Sequence, residues 1–317
     1  MELEETVRNF LQNQDKKFSS EACVQFNEKM SRHTTFKTGG IAKVYACPQT
    51  ENALTAILKF AADNKIRTFI TGGGSNIVFC DEDFNGIVIN TLSMNSIRIT
   101  EEEKDGFILV STQSGAMTSA FVNWCTKNSI SGMQEFAGLP GSIGGAVYMN
   151  ARCFNKEISN VFYSARILKK DLNIEEIYFN SNQWEYKKSP FTDREDIILE
   201  VTFRLEKNSK TEKELAEECR HFVEERKSRG HFNFPSAGSV FKNNHEFGKP
   251  SGAIIDQCGL KGLTNGGAKV ADFHGNIIIN TGNATSSQIA ELVRTVHDKV
   301  LEKTGFSLEP EIIFIQP

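Results

Sequence analysis

Two glycine-rich turns some sixty residues apart, Thr71-Gly-Gly-Gly-Ser-Asn76 and Gly138-Leu-Pro-Gly-Ser-Ile-Gly-Gly-Ala146, constrain this chain more than any other feature. Each lies beside an apolar run and carries no acidic residue. Glycine tolerates positive φ and has no Cβ, so the backbone can approach a ligand closely and successive N–H groups can converge on phosphate oxygens. Glycine turns between strands also occur where nothing binds, and either turn alone leaves both readings open. Together they suit one large phosphorylated cofactor. The usual templates for such cofactors fail: no G-x-x-x-x-G-K-[ST] occurs, and Ile77 stands where the third glycine of a dinucleotide fingerprint would fall. A P-loop nucleotidase and an ordinary NAD fold are thereby disfavoured.

With 317 residues, 39% of them hydrophobic, the chain is long enough for two domains with substantial cores. A formal net charge of -4, with acids and bases mixed, gives no polyanion signature, so no nucleic-acid partner is expected. No apolar run approaches the roughly 20 residues that cross a bilayer. The opening Met1-Glu-Leu-Glu-Glu5 is acidic and lacks a signal-peptide core, so the reading is cytoplasmic, without membrane insertion. Seven scattered cysteines form no C-x-x-C pair, and six histidines form no H-x-x-x-H pattern. Neither a disulfide framework nor a metal site is expected, and no protein partner is evident.

Residues 1–30 are polar with weak periodicity and read as a peripheral helix or a loosely held arm. A βαβ-like unit follows: a short strand from Val44, a helix from about Thr50 to Asn64 with Ala53, Leu54, Ile57, Leu58 and Ala61 on one face, then the strand Arg67 to Thr71. Further strands are expected at 86–90, 107–112, 161–168, 175–179 and 197–205, with a helix over 118–128. The charged stretch 206–214 marks the expected domain boundary. Thr211 with Glu214 and Thr285 with Gln288 form capping boxes that start helices ending near Ser228 and Lys303. A strand is expected at 277–280 and a last one over 306–315, where Pro310 implies an edge or a bulge. In that strand Leu308, Pro310, Ile312 and Phe314 share one face, with Glu309, Glu311, Ile313 and Ile315 on the other. Either a partly buried carboxylate or a solvent-facing edge satisfies this pattern.

The densest polar segment of the second half is Phe234-Pro-Ser-Ala-Gly-Ser-Val-Phe-Lys-Asn243. No G-x-S-x-G elbow surrounds Ser239, so its hydroxyl suits a positioned proton donor better than a triad nucleophile, unless it simply caps a turn. His274, between Phe273 and Gly275, is either a ligand contact or structural.

Taken together, His33-Thr-Thr-Phe-Lys-Thr-Gly-Gly40, the 72–78 turn, the 138–151 segment, Ser236-Ala-Gly-Ser-Val-Phe-Lys-Asn243, Gly259-Leu-Lys-Gly-Leu263 with Gly266-Gly-Ala268, Asn280-Thr-Gly-Asn-Ala-Thr285 and Leu308-Glu-Pro-Glu-Ile312 closely resemble the UDP-N-acetylenolpyruvoylglucosamine reductase, or MurB, family. The likeness runs from about residue 30 to residue 315, and seven motifs in the family's order are highly specific. The short Leu205–Ser236 connection, with no room for an extra tyrosine-bearing loop, resembles the family's second subclass.

The resemblance implies an α+β protein with a vanillyl-alcohol-oxidase-type FAD-binding fold and a second α+β substrate-binding domain. Residues 1–205 would be the FAD-binding region, with arm 1–30 and lobes 31–90 and 91–205. Residues 206–305 would bind substrate, and 306–317 would return as a strand toward the active site. It implies non-covalent FAD, NADPH as hydride donor, and reduction of UDP-N-acetylglucosamine enolpyruvate to UDP-N-acetylmuramate in peptidoglycan precursor synthesis. The FAD diphosphate would sit against amides around Gly72 to Asn76 and Gly141 to Ala146, within a cofactor-binding set of Gly72, Gly73, Gly74, Ser75, Asn76 and Ile77 with Gly138, Pro140, Gly141, Ser142, Gly144, Gly145 and Ala146. By carry-over, Ser239 protonates the substrate α carbon, while Glu311, rather than Glu309, steadies the enolate-like charge, a role that asks its carboxyl to hold a proton. Substrate contacts fall to Tyr186, Lys227, Lys242, Asn243 and His274.

One departure bears on the chemistry. The family pattern Tyr-Arg-x-Ser reads Tyr186-Lys187-Lys188-Ser189 here. Lysine keeps the charge but loses the planar fork that grips a carboxylate at two points. Either Lys187 acts as a point charge or another cation takes over. Lys37 and Asn244 are smaller departures. Two rival readings are a sugar or alcohol oxidase of the same cofactor fold and a non-catalytic nucleotide-sugar binder; the glycine turns hold no His or Cys for a covalent flavin tether, which weakens the first.

Overall fold

A computed structural model describes residues 2–102, 105–192 and 194–317. The chain forms two compact units: one holds residues up to Phe26 with Val44–Gly73 and Gly86–Glu224, the other Asn27–Lys43, Gly74–Asn85 and Glu225–Pro317. The units are not colinear with a division at residue 205. Long-range backbone pairing explains this, because 74–85 bonds to segments far away in sequence. Thr35 N–H donates to Gly74 O at 3.0 Å, Gly40 N–H to Cys80 O at 2.7 Å, and Ile313 N–H to Asn76 O at 2.9 Å.

In the first unit, a four-stranded sheet runs in the order Ala22–Lys29, Ile41–Pro48, Phe84–Asn90, Thr68–Thr71. The expected βαβ unit is present in chain order, but Phe84–Asn90 lies between its two strands and pairs in parallel with Thr68–Thr71. The helix Glu51–Asp63 starts where Thr50 accepts from Ala53 N–H, and it buries Ala53, Leu54, Ile57 and Ala61. Val44, Ala46, Ile87 and Ile89 of the sheet join that core. The N-terminal segment is no loose arm. It forms helices Glu2–Gln12 and Lys16–Glu21 before entering the sheet, and Val7 and Phe18 are buried in the same core. Phe10 stacks on Phe60 at 4.2 Å. A few well-placed aromatics anchor a segment whose average polarity hides them; Met1 lies outside the described residues.

A second sheet of this unit is antiparallel, in the order Ile174–Tyr178, Phe162–Leu168, Ile197–Lys207, Phe107–Gln113, Ile97–Glu102. The helices Thr118–Lys127 and Ile143–Tyr148 supply Phe121, Val122, Ile143 and Val147 to its core. The other unit has an antiparallel sheet in the order Ser236–Ser239, Ile277–Asn280, Ala268–Val270, Thr264–Asn265. The 19-residue helix Ser286–Thr304 buries the stripe Ile289, Leu292, Val293, Val296 and Val300. Its capping box and its left-handed Gly305 stop are both formed.

The last strand is shorter than 306–315. Only Ile313–Ile315 is strand, paired in parallel with Ile77–Phe79, while Pro310 makes an isolated antiparallel bridge with Phe241. Two different partners break the simple alternation: Leu308 and Ile312 are buried, but Pro310, assigned to the same face, is exposed. The missing proline donor is accommodated because Glu309 O and Glu311 N, on either side, carry the bonds to Lys242 N and Val240 O.

Candidate active site

The two glycine turns meet inside the first unit. A Cβ on Gly73 would lie 2.7 Å from Gly141 Cα, so only glycine allows the two backbones to approach this closely. The buried Asn90, at the end of its strand, holds the first turn by donating from Nδ2 to Gly72 O at 3.0 Å. Thr118 holds the second, donating from N and Oγ1 to Gly141 O at 3.0 and 3.2 Å. Among the described residues, the N–H groups of Gly73, Gly141 and Ser142 have no protein acceptor. Those of Ile143 and Gly144 are committed, to Ala116 O at 2.8 Å and Ser114 O at 2.7 Å, and Ala146 N–H closes the helix turn onto Ser142 O. The donor set left over is therefore narrower than the whole expected cradle. Backbone donors with no carboxylate in the turns still fit the diphosphate of FAD.

The segment after the second turn carries Tyr186 and Lys187 by side-chain clamps. Ser189 Oγ donates to Tyr148 O at 2.8 Å, and Asn150 Nδ2 donates to Glu185 O at 2.9 Å. Both clamping residues are buried. Reciprocal bonds between the main chains of Glu185 and Lys188 close the turn, with Lys187 at φ 58°.

In the other unit, Gly74 takes φ 61° against the His33 carbonyl, and the turn continues through Ser75 and Asn76 into the strand that starts at Ile77. Asn76 Nδ2 donates to Glu311 O at 3.0 Å. Glu311 N–H in turn donates to Val240 O at 2.7 Å, which sets the half-buried Glu311 beside the residue that follows Ser239. Thus Asn76, Glu311 and Ser239 gather in one place although they are far apart in sequence.

Ser239 is exposed and lines a cavity with Asn243, Asp256, Lys261, His274 and Asn276. Gly238 sits at φ 72° within a register shift between Ser236 and Ser239, a bulge that re-aims the serine. Asn276 is the clamp. Its Oδ1 accepts from Phe241 N–H at 2.8 Å, its Nδ2 donates to Phe241 O at 2.8 Å, and its own O accepts from Val240 N–H at 2.9 Å. Asn276 N–H donates to His274 Nδ1 at 3.1 Å, which fixes that ring nitrogen as an acceptor. Burial, with Arg229 and Lys261 nearby, holds the His274 pKa below its ordinary value. A neutral His274 then carries its proton on Nε2 and can donate to a ligand. Asn243 Oδ1 caps the helix Ser251–Gln257 by accepting from Ser251 N–H at 2.9 Å.

Two expected substrate contacts of this unit lie outside the cavity. Lys227 is exposed near the end of its helix, and Lys242 Nζ pairs with Glu309 Oε1 at 2.6 Å. The cations around His274 are instead Arg229 and Lys261, the latter paired with Asp256 at 2.8 Å. Asn90, Asn150, Asn276 and Lys261 escaped sequence reasoning, since buried asparagines at strand and helix ends have no periodic signature. Asn150 and Lys261 did lie inside recognisable motifs, which was the only available signal.

Residues 42–175 match the family model of an FAD binding domain, and residues 230–315 match that of the UDP-N-acetylenolpyruvoylglucosamine reductase C-terminal domain. The chain is 41% identical to the UDP-N-acetylenolpyruvoylglucosamine reductase of Treponema denticola over 93% of its length and 94% of that relative's. It is 40% identical to the reductase of Borreliella burgdorferi, covering 91% and 93% of the two chains. The crystal structure of the reductase from Thermus caldophilus superposes with a TM-score of 0.73 at 25% identity, over 93% of this chain and 99% of that one. The flavin-binding fold expected from the sequence, an α+β fold of the vanillyl-alcohol-oxidase type with a second α+β domain, is therefore the fold present. The chain belongs to the UDP-N-acetylenolpyruvoylglucosamine reductase family.

Proposed function

We propose that this protein reduces the enolpyruvyl ether of UDP-N-acetylglucosamine to UDP-N-acetylmuramate, using NADPH and FAD, as a step of peptidoglycan precursor synthesis in the cytoplasm. The observation that carries the reading is the convergence of Ser239, Glu311 and Asn76 through the bonds Glu311 N–H to Val240 O and Asn76 Nδ2 to Glu311 O. Among the described residues no helix is long and apolar enough to cross a membrane.

Bound FAD supplies the chemistry of accepting a hydride from NADPH and delivering one to the substrate alkene. The remaining work falls to this chain's side chains. Hydride arrival at the carbon β to the substrate carboxylate leaves negative charge on the α carbon and its carboxylate. Ser239 is placed to give its hydroxyl proton to that α carbon, and its exposure on the cavity wall leaves room for substrate. The role of steadying the enolate-like charge falls to Glu311, whose backbone is fixed by the Val240 and Asn76 bonds. Lys261 and the Nε2 proton of His274, both on the cavity wall, supply a cation and a donor suited to the substrate diphosphate. The free N–H groups of Gly73, Gly141 and Ser142 would hold the cofactor diphosphate.

Purified protein tests the reading directly. It should be yellow, NADPH should bleach it, and anaerobic addition of UDP-N-acetylglucosamine enolpyruvate should restore the colour. A colourless protein, or colour that the enolpyruvyl compound fails to restore, would exclude the reading and leave the oxidase or binding-protein alternatives.

A further inference from the structure

We propose that Arg152 supplies the guanidinium that grips the substrate carboxylate, in place of the family arginine whose position Lys187 occupies; this inference rests on the reductase reading above. The local geometry carries it. Arg152 opens a short hairpin, Arg152–Cys153 with Lys156–Glu157, in which its cross-strand partner is Glu157. One Nη donates to Glu157 Oε1 at 3.2 Å, and the guanidinium carbon lies 5.7 Å from the centroid of the Tyr186 ring. The ion pair and the ring fix the direction of the group while engaging only part of it. A guanidinium carries five N–H donors, and among the described residues the Glu157 carboxylate is the one acceptor that Arg152 meets. The side chain keeps 34% of its exposure, so a ligand can reach the remaining donors.

Glu157 meets Arg152 through one oxygen only, because its other oxygen accepts from Asn150 Nδ2 at 3.2 Å and Ser159 Oγ at 3.3 Å. The same Asn150 donates to Glu185 O, so one buried amide sets both the Arg152 hairpin and the turn that bears Tyr186 and Lys187. Lys187 is held at φ 58° in that turn and offers a single ammonium, which cannot match two carboxylate oxygens as a planar fork does. The Arg152 guanidinium lies against the Tyr186 ring, beside that turn.

The test uses the FAD-loaded, full-length protein and two ligands that differ by the carboxylate: UDP-N-acetylglucosamine enolpyruvate and UDP-N-acetylglucosamine. Calorimetric titration of Arg152→Ala should show the enolpyruvyl ligand weakened about ten- to hundredfold, as expected for a lost charge-assisted bidentate contact, with the plain nucleotide sugar within about twofold of wild type. Arg152→Lys preserves a cation beside Glu157 and should lose the same preference to a smaller degree, which keeps the test usable if the alanine variant does not fold. Equal weakening of both ligands, or an unchanged carboxylate preference, overturns the proposal. So does Lys187→Ala abolishing the preference while Arg152→Ala retains it. A wild-type protein that binds neither ligand overturns the reductase reading itself, a result distinguishable from all of these.

Discussion

The side-chain amide of Asn76 donates from Nδ2 to the main-chain oxygen of Glu311 at 3.0 Å, although the two residues are 235 positions apart in sequence. The contact is reciprocal in effect, since Ile313 N–H donates back to Asn76 O at 2.9 Å. One asparagine at the end of a glycine turn thereby sets the backbone on both sides of the residue after Glu311. Replacing Asn76 by Ala removes this part-buried bond, a net loss of about 0.5–1.5 kcal/mol. Urea unfolding should report a loss in this range, and reoxidation by the enolpyruvyl substrate should slow as Glu311 drifts. An unchanged urea midpoint would show that the bond contributes nothing.

Ser239 is assigned to the second half-reaction only. Ser239→Ala should therefore leave bleaching by NADPH within about twofold of wild type, while return of the colour with substrate slows by about 10²–10⁴, the range expected for a lost proton donor. Stopped-flow absorbance separates the two phases. Equal slowing of both would remove the serine from this role.

Gly73 and Gly145 both belong to glycine turns, yet their surroundings differ. A Cβ on Gly73 would strike Gly141 backbone at 2.7 Å, whereas one on Gly145 would meet nothing closer than Ser142 Oγ at 3.6 Å. Gly73→Ala should destabilise the protein by about 1–3 kcal/mol and lower its FAD content, since the two turns must separate. Gly145→Ala should fold normally. Thermal unfolding and the flavin-to-protein absorbance ratio of the two variants check the contrast.

His231 gives a pH signature. Burial, reinforced by Arg226, His274 and Arg229, lowers its pKa from 6.5 to about 4. Between those values the unfolded chain binds a proton that the folded chain refuses, so this contribution to stability is complete above pH 6.5 and is lost as the pH falls toward 4. Denaturant midpoints across that interval should fall less steeply in His231→Asn than in wild type. Parallel curves would assign the acid sensitivity elsewhere.

Much of the fold was legible before the structure. The stripe Ile289, Leu292, Val293, Val296 and Val300 and the Thr285–Gln288 capping box delimit a helix through contacts within a few residues, which local spacing encodes directly. The strands 162–168 and 197–207 likewise lie where their apolar runs predict them. For the N-terminal segment the sequence left a peripheral helix and a loose arm both open, because its few apolar residues, Val7 and Phe18 among them, gain meaning only from the core that receives them. The C-terminal strand was overextended for a related reason: residues 309–311 and 313–315 pair with different partners, Phe241 and its neighbours in one case and Ile77–Phe79 in the other.

The sequence by itself determined the family, the flavin cofactor, the glycine turns and the serine and glutamate proposed for the chemistry, because motifs and helix periodicity are local properties of the chain. Tertiary structure alone decided that segments 27–43 and 74–85 join residues 225–317, that Asn90, Asn150 and Asn276 hold the turns, and that Arg229 and Lys261 lie near enough to His274 to act on its charge. Each of those facts depends on a hydrogen bond or a charge acting between residues distant in sequence, and no pattern within one stretch of chain records the partner at the other end.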